Sequence, residues 1–130
     1  MTTSDNPLIW PTFRYNDAHA AIRWLVELFD FETVAVYGEG DTVEHAQLRG
    51  PLGGGVMLGS ARSEGPLQDW QVASGSAYVV VDNPDELYER AVAAGTRIEI
   101  ELRDEDYGSR GFTCRDAEGV FWSFGTYCGE

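Results

Sequence analysis

The sequence DYGSRGFTCRDAEGVFWSFGTY, residues 106–127, decides the fold of this chain. Its centre, Asp116-Ala117-Glu118-Gly119, combines turn-forming residues with a glycine at the position that needs a positive φ. The segments on both sides are rich in aromatic and β-branched residues, which favour paired strands. The stretch therefore predicts a β-hairpin that closes the chain.

The residues before this hairpin predict a strand, a helix and a further strand. Residues 76–81 are typical of a strand, and Asn83 followed by Pro84 is typical of a helix start. Gly95 can end that helix, and residues 96–103 alternate apolar and charged side chains, as a half-exposed strand does.

The first half of the chain predicts the same kinds of element. Residues 9–15 predict a strand, with Pro11 near its start or at an edge, and Asp17 can cap a helix. Residues 33–37 and 42–49 read as a hairpin, and residues 54–59 as one more short strand. The apolar residues of the helix recur at 3.6-residue spacing: Ala18, Ala21, Ile22, Leu25, Val26 and Phe29.

The two halves form an internal repeat. A shift of about 65 residues superimposes three pairs: Asp17 on Asp82, Ile22 on Leu87, and Gly54 on Gly119. We therefore predict an α+β fold made of two βαβββ modules, residues 8–59 and 76–127, with residues 60–75 as the connector. Trp70 in that connector either covers an apolar patch or roofs a cleft.

The closing hairpin carries a family resemblance. The pattern Tyr-Gly-x-Arg-x-Phe-x-x-Arg-Asp-x-x-Gly, residues 107–119, followed by an aromatic strand, resembles the vicinal oxygen chelate superfamily. That group includes glyoxalases, ring-cleaving dioxygenases and bleomycin-resistance proteins. The resemblance implies that the two modules form a cupped mixed sheet around a cleft, and that the chain is a homodimer.

The composition of the chain limits the kinds of molecule that it is expected to bind. The chain has 130 residues with 22 acidic and 9 basic side chains, a formal charge of −13. Such a charge repels nucleic acids and anionic membranes, and it favours either solubility alone or a cationic small-molecule ligand. The first residues include no basic start and no apolar run, so we expect no secretory signal, no membrane segment and a cytoplasmic location. Cys114 and Cys128 have no metal-binding spacing, so both are predicted to be ordinary thiols, with Cys114 buried.

The resemblance also locates the positions of a metal site. In metal-dependent members, cation ligands lie on the first and last strands of each module. Those positions fall on Ser76 and Ser123 and, by the 65-residue shift, on Pro11 and Leu58. None of these side chains is a competent ligand for a divalent cation. We therefore expect neither a metal nor another cofactor.

Aromatic residues on predicted strands are the leading candidates for a ligand site. Individually they are typical of a hydrophobic core, but together they suit a flat or cationic ligand that stacks on rings. They are Trp10, Phe13, Tyr78, Trp122 and Phe124.

Three further residues are candidates for the same cleft. By strand alternation His45 shares a face with Val43 and Gln47, so it either points into the cleft or is a histidine without a chemical role. Tyr107 and Arg110 are either rim groups of the cleft or structural residues of the hairpin.

These observations favour binding over catalysis. No Ser-His-Asp or Cys-His arrangement is readable, and Gly53-Gly54-Gly55 lacks the lysine and helix of a phosphate-binding loop. We predict a metal-independent protein that binds a small aromatic or cationic molecule in an aromatic cleft. The alternatives are a lyase or dioxygenase-like enzyme with a displaced metal site, and an interaction module whose cleft is vestigial.

Overall fold

A computed structural model describes residues 6–130 of the chain. The chain divides into two compact units, with the boundary between Val72 and Ala73. The first unit contains β1 (Thr12–Tyr15), α1 (Ala18–Phe29), β2 (Glu32–Glu39), β3 (Thr42–Arg49) and β4 (Gly55–Ser60). The second contains β5 (Ser76–Val80), α2 (Pro84–Ala93), β6 (Arg97–Asp104), β7 (Arg110–Arg115) and β8 (Phe121–Gly125).

The first unit is a four-stranded mixed sheet with one helix. Its strand order is β1-β4-β3-β2, in which only the β1–β4 pair is parallel. As predicted, Asp17 caps α1, because its carboxylate accepts a hydrogen bond from the Ala20 N–H at 3.0 Å. The helix buries its apolar face in the core of the unit: Ala18, Ala21, Ile22, Leu25 and Phe29.

The second unit repeats this arrangement. Its strand order is β5-β8-β7-β6, and only β5 and β8 are parallel. Helix α2 begins at Pro84, the predicted first position, and Gly95 follows its end with φ +76°. The predicted α+β fold class with two βαβββ modules is therefore confirmed.

The closing hairpin is held by a buried carboxylate. Asp116 is 7% exposed and accepts hydrogen bonds from the backbone N–H groups of Glu118 and Val120, both at 3.0 Å. It also accepts from the indole N–H of Trp122 at 3.1 Å. Gly119 has φ +97°, as the turn requires. One carboxylate thus fixes the turn and anchors the largest side chain of the core.

The structural repeat has a period of 66 residues, one more than the sequence comparison suggested. The helices begin at Ala18 and Pro84, which are 66 positions apart. The pairs Arg49–Gly55 and Arg115–Phe121, and likewise Thr12–Met57 and Tyr78–Ser123, differ by the same 66 positions. Because side chains alternate along a strand, this one-residue correction exchanges the two faces assigned to β1, β3 and β4, whereas β2 and β6 keep the 65-residue offset (Glu32–Arg49 and Arg97–Arg115). Leu58, assigned to the cleft by the 65-residue shift, is in fact buried at 1% exposure, and its neighbour Met57 is the structural counterpart of Ser123.

No helix in residues 6–130 is long and apolar enough to cross a membrane.

We predict that Asp116→Ala lowers the free energy of unfolding by roughly 2–4 kcal/mol, because three N–H donors lose their charged acceptor and two of the three bonds are buried. Urea denaturation followed by tryptophan fluorescence measures the change. The matched control is Asp106→Ala, which removes an exposed carboxylate from the preceding loop and should change stability by less than about 0.5 kcal/mol. Equal effects of the two substitutions would contradict the anchoring role of Asp116.

The two thiols should differ in reactivity. Cys114 is buried as predicted, and burial, together with the nearby Asp116 charge, raises its pKa to about 12, whereas Cys128 is exposed. At about pH 8 the thiolate fraction of Cys114 is on the order of 10⁻⁴. A chromogenic disulfide reagent should therefore titrate one thiol per native chain and two after denaturation. Two rapidly reacting thiols in the native chain would show that Cys114 is accessible.

Candidate functional site

The second unit has a pocket of about 290 Å³ on the face of its sheet opposite α2. Tyr88 of α2 packs on Phe112 of β7, with ring centroids 5.3 Å apart, so the side chains that alternate with Phe112 point to the other face. Those alternate positions, with the chain between β6 and β7, form the pocket. Its lining is Tyr78, Ile100, Arg103, Glu105, Tyr107, Ser109, Gly111, Phe112, Thr113, Ser123, Phe124 and Gly125.

Two of the hydroxyl groups that line the pocket are hydrogen-bonded to each other. Thr113 and Ser123 are partners in the β7–β8 register, and their side-chain oxygens are 2.8 Å apart. Either hydroxyl can donate to the other, so the pair keeps one hydroxyl hydrogen and several oxygen lone pairs for hydrogen bonds to a ligand. In residues 6–130 neither hydroxyl has an imidazole or carboxylate hydrogen-bonded to it, so neither is activated as a nucleophile.

Tyrosines form one wall of the pocket. Tyr78 is 47% exposed and donates its hydroxyl hydrogen to the Tyr127 carbonyl at 2.7 Å. Tyr107 is 61% exposed and meets Tyr127 edge to face, with centroids 5.5 Å apart. Gly125 lies beneath this wall, because a Cβ there would be 2.7 Å from the Tyr78 hydroxyl and 3.1 Å from the Ser109 hydroxyl. The missing side chain of Gly125 lets Tyr78 lie across the sheet.

An ion pair forms part of the rim. Arg103 Nε donates to Glu105 Oε1 at 2.6 Å, and this hydrogen bond raises the pKa of Arg103 above its ordinary value. Both side chains are partly exposed, and their charges compensate each other. The pocket is therefore close to neutral, with polarity supplied by hydroxyls.

The predicted site residues of the second unit divide into two groups. Tyr78, Tyr107 and Phe124 line the pocket, although the Phe124 ring is fully buried and stacks on Phe112 with centroids 5.4 Å apart. Trp122 is also fully buried and bonds to Asp116, so it belongs to the core. Arg110 lies outside the lining.

Arg110 is instead a structural residue of the hairpin. Its guanidinium donates to both carboxylate oxygens of Asp85 at 2.8 and 3.1 Å and to Asp104 at 3.2 Å. The hydrogen bond to Asp85, followed by that to Asp104, raises the pKa of Arg110 above its ordinary range. The arginine thus ties β7 to the first turn of α2, and the structural alternative that the sequence left open accounts for it.

Three predicted site residues belong to the first unit. Phe13 is 3% exposed and lies in the core. Trp10 precedes β1, donates its indole N–H to the Pro7 carbonyl at 3.0 Å and lies against Gly55. His45 lies on β3, half-buried.

The surroundings of His45 differ from those expected by simple alternation. The register of β2 and β3 shifts between Tyr37–His45 and Gly38–Val43, so Val43 is fully buried with Ala46 rather than sharing a face with His45. The His45 ring stacks on Tyr37 with centroids 6.3 Å apart, and Gln47 Nε2 lies 3.0 Å from His45 Nε2. Because an amide nitrogen only donates, His45 Nε2 is the acceptor of this bond. These contacts occupy the ring without a nucleophile or acid partner.

Several pocket residues were not among the candidates, and strand register explains why. Thr113 and Gly111 lie on β7, and Ser109 is 5% exposed beside Gly125. Small hydroxyl and glycine positions carry no compositional signal. The sequence analysis considered Ser123 only as a metal-site position. Gly125, two residues further along the same strand, and Thr113, opposite Ser123 on β7, lie on the same face and could have been found from it.

The residues present do not fit a bound metal ion. Across residues 6–130, no three His, Cys, Asp or Glu side chains cluster in a way that could hold one. Of the two positions expected in the second unit, Ser123 hydrogen-bonds Thr113 through its hydroxyl, and its parallel partner is Tyr78; the other expected position, Ser76, pairs with Phe121 instead. In the first unit the equivalent partners are Thr12 and Met57. Neutral hydroxyls and a thioether lack the charge and donor strength that a divalent cation needs.

Comparison with known proteins identifies related sequences and structures. The sequence profile described as the Glyoxalase/Bleomycin resistance protein/Dioxygenase superfamily matches residues 8–124. The crystal structure of TioX from Micromonospora sp. ML1 is 27% identical, with a TM-score of 0.77 over 95% of this chain and 98% of that one. A glyoxylase/bleomycin resistance protein/dioxygenase domain from Frankia sp. EAN1pec is 20% identical, with a TM-score of 0.67 over 95% and 98% of the two chains.

A more distant structure in the same set was solved with a metal. It is a point mutant of the fosfomycin resistance protein FosX from Listeria monocytogenes, complexed with Mn(II) and 1S,2S-dihydroxypropylphosphonic acid. Its identity to this chain is 14%, with a TM-score of 0.64 over 94% of this chain and 93% of that one. Among curated proteins, none matches the chain.

We predict that Gly125→Ala and Tyr78→Phe are coupled through the wall of the pocket. Each substitution should lower the free energy of unfolding by about 1 kcal/mol, since each disrupts the bond from the Tyr78 hydroxyl to Tyr127. With the hydroxyl already removed, the added methyl group meets less obstruction, so the double variant should be less destabilised than the sum of the two. A double-mutant cycle in urea measures this coupling. Strict additivity would show that Gly125 does not position Tyr78.

Proposed function

This chain belongs to the Glyoxalase/Bleomycin resistance protein/Dioxygenase superfamily, and from that premise we propose that it is a small-molecule binding protein that holds an aromatic, preferably cationic, ligand without a metal ion. The observation that carries this proposal is the pocket of the second unit, which combines exposed tyrosine rings with hydroxyl groups and has no group poised for acid–base or nucleophilic chemistry.

The size of the pocket limits the ligand. A volume of about 290 Å³ lies just below the roughly 300–1,000 Å³ typical of drug-sized sites. It suits a molecule, or one moiety of a larger molecule, of one or two rings.

The chemistry of the wall favours an aromatic ligand. Tyr78 and Tyr107 present ring surface that is already ordered by contacts with Tyr127, so stacking on it costs little conformational entropy. The Thr113–Ser123 hydroxyl pair supplies a hydrogen-bonding group in the lining of the pocket.

Charge favours a cation over an anion. The chain carries a formal charge of −13, and such a field raises the local concentration of cations. Tyrosine faces add an attraction for a cationic ring that they do not offer to an anion.

The test uses three bicyclic probes that differ mainly in charge: N-methylquinolinium, quinoline and quinoline-2-carboxylate. Calorimetric titration should rank their affinities in that order. Tyr107→Ala should weaken N-methylquinolinium binding by about tenfold, because it removes the most exposed ring of the wall.

Tyr37→Ala is the matched control, since Tyr37 is also 61% exposed but lies on β2 of the first unit. It should change the affinity by less than about twofold. Equal losses in both variants, or no binding of any probe, would contradict the proposal and favour an interaction module.

Metal analysis tests the metal-free part of the proposal independently. We expect chain purified without chelator to contain no stoichiometric divalent metal, because the donor set is unsuitable. One tightly held ion per chain would favour the enzyme alternative. The homodimer implied by the resemblance stays a prediction, which sedimentation of the purified chain tests.

A further inference from the structure

A second site is indicated on the first unit by an arginine that lacks a compensating charge. Arg14 lies on β1, between Phe13 and Tyr15, which are both buried in the core, so its side chain is on the face of the sheet opposite α1. There it crosses β4, because a Cβ on Gly59, its partner in the register, would collide with Arg14 Nη1.

The guanidinium of Arg14 lies under an aromatic ring, and one of its nitrogens is buried without a hydrogen bond. Trp70 of the connector lies over it, 4.9 Å from the guanidinium carbon to the ring centroid. Arg14 Nε is buried, and among residues 6–130 it has no hydrogen-bond partner. A cation–π contact stabilises the charge through the ring face but leaves the in-plane N–H donors unused. A buried donor without an acceptor costs free energy and needs an explanation.

The charge around Arg14 makes this cost larger. Burial, and then the nearby positive charge of Arg62, lower the pKa of Arg14 below its ordinary value, although an arginine stays protonated. Arg62 is exposed and contacts only the Glu44 carbonyl, at 3.4 Å, among its described hydrogen bonds. Two cations are therefore neighbours, and among the contacts described for residues 6–130 neither has an ion pair with a carboxylate.

Most other arginines of the chain, unlike Arg14, have a carboxylate close by. Nine basic residues, all arginine, are outnumbered by 22 acidic residues, so carboxylate partners are abundant. Five of the arginines lie within 3.3 Å of a carboxylate: Arg90, Arg97, Arg103, Arg110 and Arg115. Arg115 Nε is also buried without a hydrogen bond, but it differs from Arg14 in having the Glu99 carboxylate 3.3 Å away. A covered arginine left without such a partner is the arrangement expected of a site whose anion comes from a ligand.

We infer that Arg14, roofed by Trp70 and assisted by Arg62, binds the carboxylate group of a small organic acid. A guanidinium fork matches a planar carboxylate in a bidentate geometry. The formal charge of −13 repels a doubly charged phosphate more strongly than a singly charged carboxylate. The site lies in the first unit and does not depend on the pocket of the second unit.

The experiment observes the Nε–H signals of the arginines by nitrogen-15 NMR while the intact chain is titrated with benzoate. The Arg14 signal is assigned by its loss in Arg14→Lys. We expect benzoate to shift this signal saturably, and the neutral isostere benzamide not to shift it. Inorganic phosphate at the same ionic strength should bind less tightly than benzoate.

Variants separate a built site from general charge attraction. Arg14→Lys keeps the charge but not the fork, and Gly59→Ala fills the space that the guanidinium crosses; each should weaken benzoate binding about tenfold when the Trp70 fluorescence or calorimetric signal is followed. Arg23→Gln on α1 is the control for Arg62→Gln, since both remove one exposed arginine. Only Arg62→Gln should weaken binding.

Three outcomes would overturn the inference. They are an Arg14 signal that does not respond to benzoate, an equal response to chloride at matched ionic strength, and tighter binding of phosphate than of benzoate. Unchanged benzoate affinity in a folded Arg14→Lys variant would do the same.

Discussion

Each unit of this chain has four strands and a single helix, so only one face of each sheet can be covered by the unit itself. The strands must therefore alternate buried side chains with side chains that the helix cannot reach. In the second unit this rule sends Phe112, Cys114, Trp122 and Phe124 into the core. It leaves Thr113 and Ser123 on the other face, where they form the floor of a pocket. The site is thus a direct consequence of the fold having more sheet than helix.

The same alternation explains which features could be predicted from sequence. The caps and turns carry local chemical signals, so Asp17, Pro84 and Gly119 were assigned correctly from residue type and spacing. For a residue on a strand, the sequence predicts which face of the sheet the side chain lies on only through alternation along the strand. The repeat was found at 65 residues rather than 66, and that slip was enough to assign Leu58 to an open face instead of the core.

Aromatic residues were the weakest part of the sequence-based site prediction, for a physical reason. Phe and Trp are favoured in a core, where burial stabilises the fold, and equally in a cleft, where they stack on a ligand. Composition alone therefore does not separate the two environments. Tyr78 and Tyr107 reach the pocket, whereas Phe13 and Trp122 do not. Residue type does not separate the two environments either, because Tyr15 carries the same hydroxyl as Tyr78 and Tyr107 and is buried at 1% exposure.

Each unit has a glycine on its last strand that is crossed by a long side chain on the open face of the sheet. Gly59 and Gly125 are 66 positions apart, at equivalent places on the last strand of each unit. In each case a long side chain from the first strand lies across the glycine: Arg14 over Gly59, and Tyr78 over Gly125. A Cβ at either position would obstruct that side chain, so the glycine determines that the space is filled from the neighbouring strand. The two side chains start from different register positions, since Arg14 is the direct partner of Gly59 whereas Tyr78 lies two residues before Val80, the partner of Gly125. The residue that crosses the glycine gives one unit a cationic surface and the other an aromatic, hydroxyl-lined one.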